Sequence, residues 1–261
     1  MSRSNSNVHR MPIRQKYQQN PNRSSLPTPS VKEKRVMVLE LEAEPVTAAY
    51  LEFLSELPDQ FDVLKPKSVR AALSSMVDAS NPISSILIWE PSIVDSCAYV
   101  NADFAFEPDH EDIATSVLAD AIVDFTKAGG TTVFAVAFAK FANRDNLNHY
   151  FEETWNLPWR YGYKGRMDLS LNQKSTFAPL AYEMNVEGPD EMETEVTSLS
   201  GSARQERVYF AEASYKDQES RRLPASSPVV FRKYGKGHIG YVGDHDCDEA
   251  LQEIVLAMLD C

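Results

Sequence analysis

The sequence predicts an α/β protein: a three-layer, doubly wound, mostly parallel sheet of flavodoxin-like outline, with a late β-hairpin and a C-terminal helix. Three observations carry this. Short, almost wholly apolar runs at 36–41, 86–89 and 131–138 suit strands buried on both faces of a parallel sheet. Segments with apolar residues at helical spacing lie between them, which implies right-handed crossovers. Near the end, PVVFRKYGKGHIGYVGDHDC (228–247) places two strands around Gly235-Lys236 and then a polar run before the last helix.

Residues 1–34 are Ser-, Asn-, Gln-, Pro-rich and basic, with little to bury, and are predicted to be a disordered tail. Residues 35–261 form the single folded domain. Val36 to Leu41 opens it as a strand. Thr47 is positioned to cap a helix carrying Tyr50, Leu51, Phe53, Leu54 and Leu57, stopped by Pro58. Phe61 to Leu64 is a second strand. Ser68 caps a second helix, with Val69, Ala72, Leu73, Met76 and Val77 on one stripe. Ile86 to Trp89 is the third strand, and Cys97 to Asp109 is expected to be irregular. Pro108 and Asp109 start a long helix that Gly129-Gly130 ends. Thr131 to Phe138 is the fourth strand, followed by a helix that Asn143 caps.

The alternation then fails. Trp159 to Lys174 is aromatic and basic, with Leu169 and Leu171 in a short strand. Residues 184–205 carry Glu187, Asp190, Glu191, Glu193 and Glu195 and are interrupted by Gly188-Pro189 and Gly201, so a mobile acidic loop is expected. Val208 to Ala213 returns as a strand. In the hairpin, Gly235 supplies the positive φ that a type II′ turn needs at its first central position. Gly240 and Gly243 thin one face of the returning strand, so that another backbone or a ligand can approach. Asp246 and Glu249 have capping-box-like spacing before the last helix.

Charge narrows the function classes. Residues 1–35 hold eight basic residues against Glu33 alone, a net of +7, which leaves −19 for the remainder of a chain totalling −12. So acidic a body repels phosphate backbones, and no nucleic-acid partner is expected. No apolar run reaches the ~20 residues of a membrane helix, so no membrane partner is expected either. Cys97, Cys247 and Cys261 show no paired spacing, which suits a reducing, cytoplasmic setting.

Two phrases carry a family likeness. VVFRKYGKGHIGYVGD (229–244) resembles the hairpin and final polar corner of ThuA-like proteins, a branch of the class I glutamine amidotransferase-like superfamily. FTKAGGTTVFAV (125–136) is similar to the same superfamily's helix, Gly-Gly and strand step. The resemblance covers about 36–158 and 206–261. It implies a nucleophile elbow straight after the Gly-Gly strand and a His-x-Glu pair after a late strand. Here Ala137 to Phe141 offers no Cys or Ser at the elbow, and Cys247 stands where the Glu is expected beside His245. The resemblance therefore implies a non-catalytic or degenerate domain that binds a small molecule or protein partner, with no cofactor.

The residues themselves leave other chemistries open. Catalytic candidates are Cys97 and His245, as a hydrolase pair, which would need hydrogen-bond contact and a stabilised thiolate. Ligand-binding candidates are Glu90, Lys140, Asp244, His245 and Asp246. The run Asp244 to Asp248 holds metal-ligand types, but consecutive side chains seldom converge on one ion, and acids at a helix start answer the dipole equally well. Glu40, Glu42 and Glu90, opposite Lys140, form a further acidic group at the expected sheet edge. Trp155, Trp159, Tyr161 and Tyr163, interleaved with Arg160, Lys164 and Arg166, suggest an amphipathic recognition surface.

Overall fold

A computed structural model describes residues 34–41, 48–89, 91–101, 110–179, 191–213 and 226–261. Its centre is a six-stranded sheet in the order β2-β1-β3-β4-β10-β9. Strands β1 (Arg35–Leu39), β2 (Asp62–Leu64), β3 (Ser85–Ile88), β4 (Thr131–Phe134) and β10 (Gly237–Val242) run parallel, and β9 (Val229–Tyr234) pairs antiparallel with β10. This is the flavodoxin-like arrangement that the apolar runs predict.

The pleat sorts the core into two halves. Val36 and Val38 of β1 face a layer built by helix α1 (Ala48–Glu56) and the C-terminal helix α7 (Glu249–Leu259). Met37 and Leu39 face the opposite layer of α2 (Val69–Met76), α3 (Ser92–Asn101) and α4 (His110–Ala128). Successive side chains of a strand point to opposite faces, so a run apolar at every position fills both layers. Two short helices, α5 (Ala137–Phe141) and α6 (Arg144–His149), follow β4, and α6 continues into a π-helical turn over Tyr150–Thr154.

Several expectations are met locally. The Ser68 side chain accepts from the Ala71 amide, and Asn143 accepts from those of Asp145 and Asn146. Gly235 has φ +63, and Tyr234 pairs with Gly237 across a two-residue turn. Others need correction. Cys97, placed in irregular chain, lies in α3. The fourth strand stops at Phe134, and the apolar residues after it form α5, because a fully buried run does not distinguish strand from helix. The cap of α7 is Asp248, whose side chain accepts from Ala250, so Asp246 has no capping role. Thr47, Pro108 and Asp109 lie outside the described residues, as does the 1–33 part of the basic tail.

The largest correction is a second sheet. Strands β5 (Arg160–Leu171), β6 (Glu191–Ser200), β7 (Tyr209–Ala213) and β8 (Ser226–Ser227) form an antiparallel sheet in the order β7-β5-β6-β8. The acidic stretch expected to be a loop is thus a strand over Glu191–Ser200, with 184–190 outside the described residues. Its carboxylates at Glu193 and Glu195 face out while Thr194 and Val196 are buried, so charge and burial alternate with the pleat. The aromatic cluster is also reassigned. Trp155 and Trp159 are completely buried and pack against Phe134, Phe151 and Tyr234 rather than forming a recognition surface.

Candidate functional site: the polar corner at the C-terminal sheet edge

Strand β10 delivers Gly243 to Asp248 to the C-terminal edge of the parallel sheet, where α/β folds usually build sites. Strand β6 of the second sheet closes over this corner. The Thr197 amide donates to the Gly243 carbonyl at 2.8 Å, and Val196 bridges Asp244. A Cβ on Gly243 would overlap the Thr197 carbonyl oxygen, so the thinned strand face receives a backbone.

His245 is fastened from several sides. Its Nε2 lies 2.8 Å from the Thr197 hydroxyl, which also lies 3.1 Å from the Ala139 carbonyl in α5. A hydroxyl has one proton. Donated to Ala139, it leaves Thr197 accepting from an Nε2–H, which the neutral Nε2–H tautomer and the imidazolium both carry. Nδ1 then faces Glu195 Oε1 at 3.6 Å. Burial, and next the Lys164 ammonium, hold the imidazole below its usual range, with Glu195 opposing. The Tyr50 hydroxyl donates to the His245 carbonyl at 2.8 Å, and Lys140 Nζ donates to the same oxygen at 3.4 Å.

Asp244 is also consumed internally. It is 5% exposed, and its two carboxylate oxygens accept from the amides of Asp246 (3.0 Å) and Asp248 (2.6 Å). Burial pushes its pKa up to about 7, against those two hydrogen bonds. Asp246 is exposed. Cys247 sits at φ +61, and burial, with Asp244 second, raises its thiol to about 12. No three His, Cys, Asp or Glu side chains converge on a metal position among the described residues.

At the end of β4, Val136 has φ +63 and ψ −119 and hands the chain directly to α5. Positive φ in a β-branched residue costs on the order of 1–3 kcal/mol and persists only where its surroundings impose it. A strained strand-to-helix turn of this kind is the geometry of a nucleophile elbow. It falls one residue before Ala137 to Phe141, the stretch in which the family resemblance implies an elbow.

No protein-family model matches this chain, and no curated protein matches it. Solved structures do. A ThuA-like protein from Bacteroides uniformis superposes with a TM-score of 0.54 at 12% identity, over 90% of this chain and 94% of that one. The chain shares that protein's fold. Weaker likenesses include a GMP synthase-like protein from Thermoplasma acidophilum (TM-score 0.41, 9% identity, 87% of this chain and 93% of that one). A β-galactosidase from Bacillus circulans scores 0.41 at 13% identity, over 88% of this chain and 31% of that one.

Within this ThuA-like frame the sequence candidates separate. Lys140, Asp244, His245 and Asp246 share one corner, while Glu90 lies outside the described residues. Cys97 belongs to the opposite layer, 2% exposed in α3, and no hydrogen bond among the described residues joins it to a histidine. Burial, then Asp120, pushes its thiol up to about 12, whereas a catalytic pair needs a thiolate. Sequence reasoning missed Val136, Tyr50, Glu195 and Thr197. The last two were legible in the alternation of EMETEVTSL (191–199), which the acidic count obscured.

Proposed function

We propose that this chain is a degenerate amidotransferase-like domain that binds a small molecule or protein partner and performs no covalent chemistry at its elbow. The observation that carries the reading is Val136. The strained turn that elsewhere exposes a nucleophile is retained here, at φ +63, by a side chain without a nucleophilic atom. The neighbouring imidazole supports this, because its Nε2 is occupied by Thr197 instead of an exposed thiol or hydroxyl. Burial also holds the thiols of Cys97 and Cys247 protonated.

Binding is assigned to the sheet's C-terminal edge, with Lys140 and Asp246 as its polar contacts. Trp89, at the end of β3, is 1% exposed with an Nε1–H that has no hydrogen-bond partner among the described residues, and it stands edge-on to Tyr50 at 6.4 Å between centroids. Buried donors are almost always satisfied, so an unmatched one beside the corner fits an acceptor brought by a ligand. The experiment is a glutaminase assay on the full chain and on Val136→Cys. Neither is expected to hydrolyse glutamine, since a thiol alone lacks its base and oxyanion donors. Wild-type glutaminase activity abolished by His245→Ala would overturn the reading.

A further inference from the structure

Away from the polar corner, the sheet order contains a topological switch point. From β1 the chain passes to β2 on one side and then to β3 on the other, so the crossovers diverge at the C-terminal ends of β1 and β3. In open α/β sheets such a divergence leaves a crevice that ligands use. A cavity of about 210 Å³ lies there, lined by chain that follows all three strands, including Leu41 after β1, residues 67–70 after β2 and Ser92 and Ser96 after β3.

The lining has one electrostatic sign. Lys67 and Arg70 border it, and no described carboxylate does. Neither cation forms an ion pair with a described residue, although the body of the chain is strongly acidic. Ser68, Ser92, Ser96 and Thr115 bring hydroxyls to the same space. Two helices also start there. Ser68 is the N-cap of α2, and Ser92 is the first residue of α3. Each helix start carries a partial positive charge and outward N–H groups. An ammonium, a guanidinium and two helix N-termini around one cavity make a receptor for a compact dianion. Organic ligand pockets run from about 300 to 1,000 Å³. The smaller volume here selects a small molecule and excludes a dinucleotide.

We propose that the switch-point cavity binds the phosphoryl group of a small phosphomonoester, with Arg70 and Lys67 as its charged contacts. The inference goes beyond the elbow reading and does not rest on it. Glutaminase activity, present or absent, leaves it untouched.

The test is isothermal titration of the full chain with inorganic phosphate and with glycerol 3-phosphate, at ionic strength held constant with sodium chloride. Saturable binding of one equivalent is expected for both, tighter for the ester if the organic part is also held. Arg70→Gln and Lys67→Gln are each expected to weaken binding about tenfold or more, the loss of one charge-assisted contact. Both side chains are exposed and form no ion pair with a described residue, so the variants are expected to keep the wild-type denaturation midpoint. A response reproduced by chloride alone, no saturable binding of either probe, or wild-type affinity in both variants would each overturn the proposal.

Discussion

At the scale of single residues, Asp244 and His245 are adjacent, buried and shifted in ways that oppose each other. Asp244 has a pKa of about 7 when folded, above its ordinary value, so between those limits the folded state holds more protons than the unfolded chain. Its contribution to stability therefore falls as pH rises from about 4 to about 7. His245 is held below its ordinary range, so the unfolded chain binds more protons there, and its contribution rises as pH climbs to about 6.5. The two slopes overlap and partly cancel. Relative to wild type, His245→Gln is expected to uncover a stability that declines toward neutrality, and Asp244→Asn one that rises. Urea midpoints at pH 4.5, 5.5, 6.5 and 7.5 read both slopes. Parallel profiles in all three proteins would mean that neither group titrates as assigned.

At the scale of elements, the parallel sheet and its helices were legible because burial on two faces leaves unbroken apolar runs, and because Ser68, Asn143 and Gly235 carry local chemistry that few other residues supply. The second sheet was not legible. Strand β6 alternates glutamates with buried residues, and counting charge instead of period made it a loop. The corner was half legible: the polar run after β10 was visible, but its partners arrive from β6 and α1, far away in sequence. The same elements give two stability predictions. Gly235→Val forces a β-branched residue to φ +63 and meets the Lys127 backbone, so a loss of at least about 1–3 kcal/mol is expected. Gly243→Ala drives a methyl into the Thr197 carbonyl and separates β6 from β10, with a loss of about 1–3 kcal/mol expected. Gly240→Ala meets the movable Met258 sulfur and is expected to cost less. Guanidinium melts rank the three. A Gly243→Ala midpoint equal to wild type would remove the argument that β6 seals the corner.

For the whole molecule, charge is the property that the fold must tolerate everywhere at once. Residues 36–261 carry −19 against +7 in the first 35 residues. The described ion pairs are few. Several are surface pairs such as Arg160–Glu152 and Arg166–Glu193, which contribute little individually. Like-charge repulsion across the body therefore outweighs attraction, and screening it is expected to stabilise the folded state. At 0.15 M salt the Debye length is about 8 Å, so most repulsion between distant surface carboxylates is already removed. The melting temperature of the full chain is expected to rise from 10 mM to 150 mM sodium chloride and then level off, equally in potassium chloride. Phosphate at matched ionic strength is expected to raise it further, because occupancy of the switch-point cavity adds to screening by mass action. In Lys67→Gln/Arg70→Gln the chloride response is expected to persist while the extra phosphate increment disappears. A melting temperature that falls with sodium chloride would show that attractive pairs dominate the body, contrary to its net charge of −19.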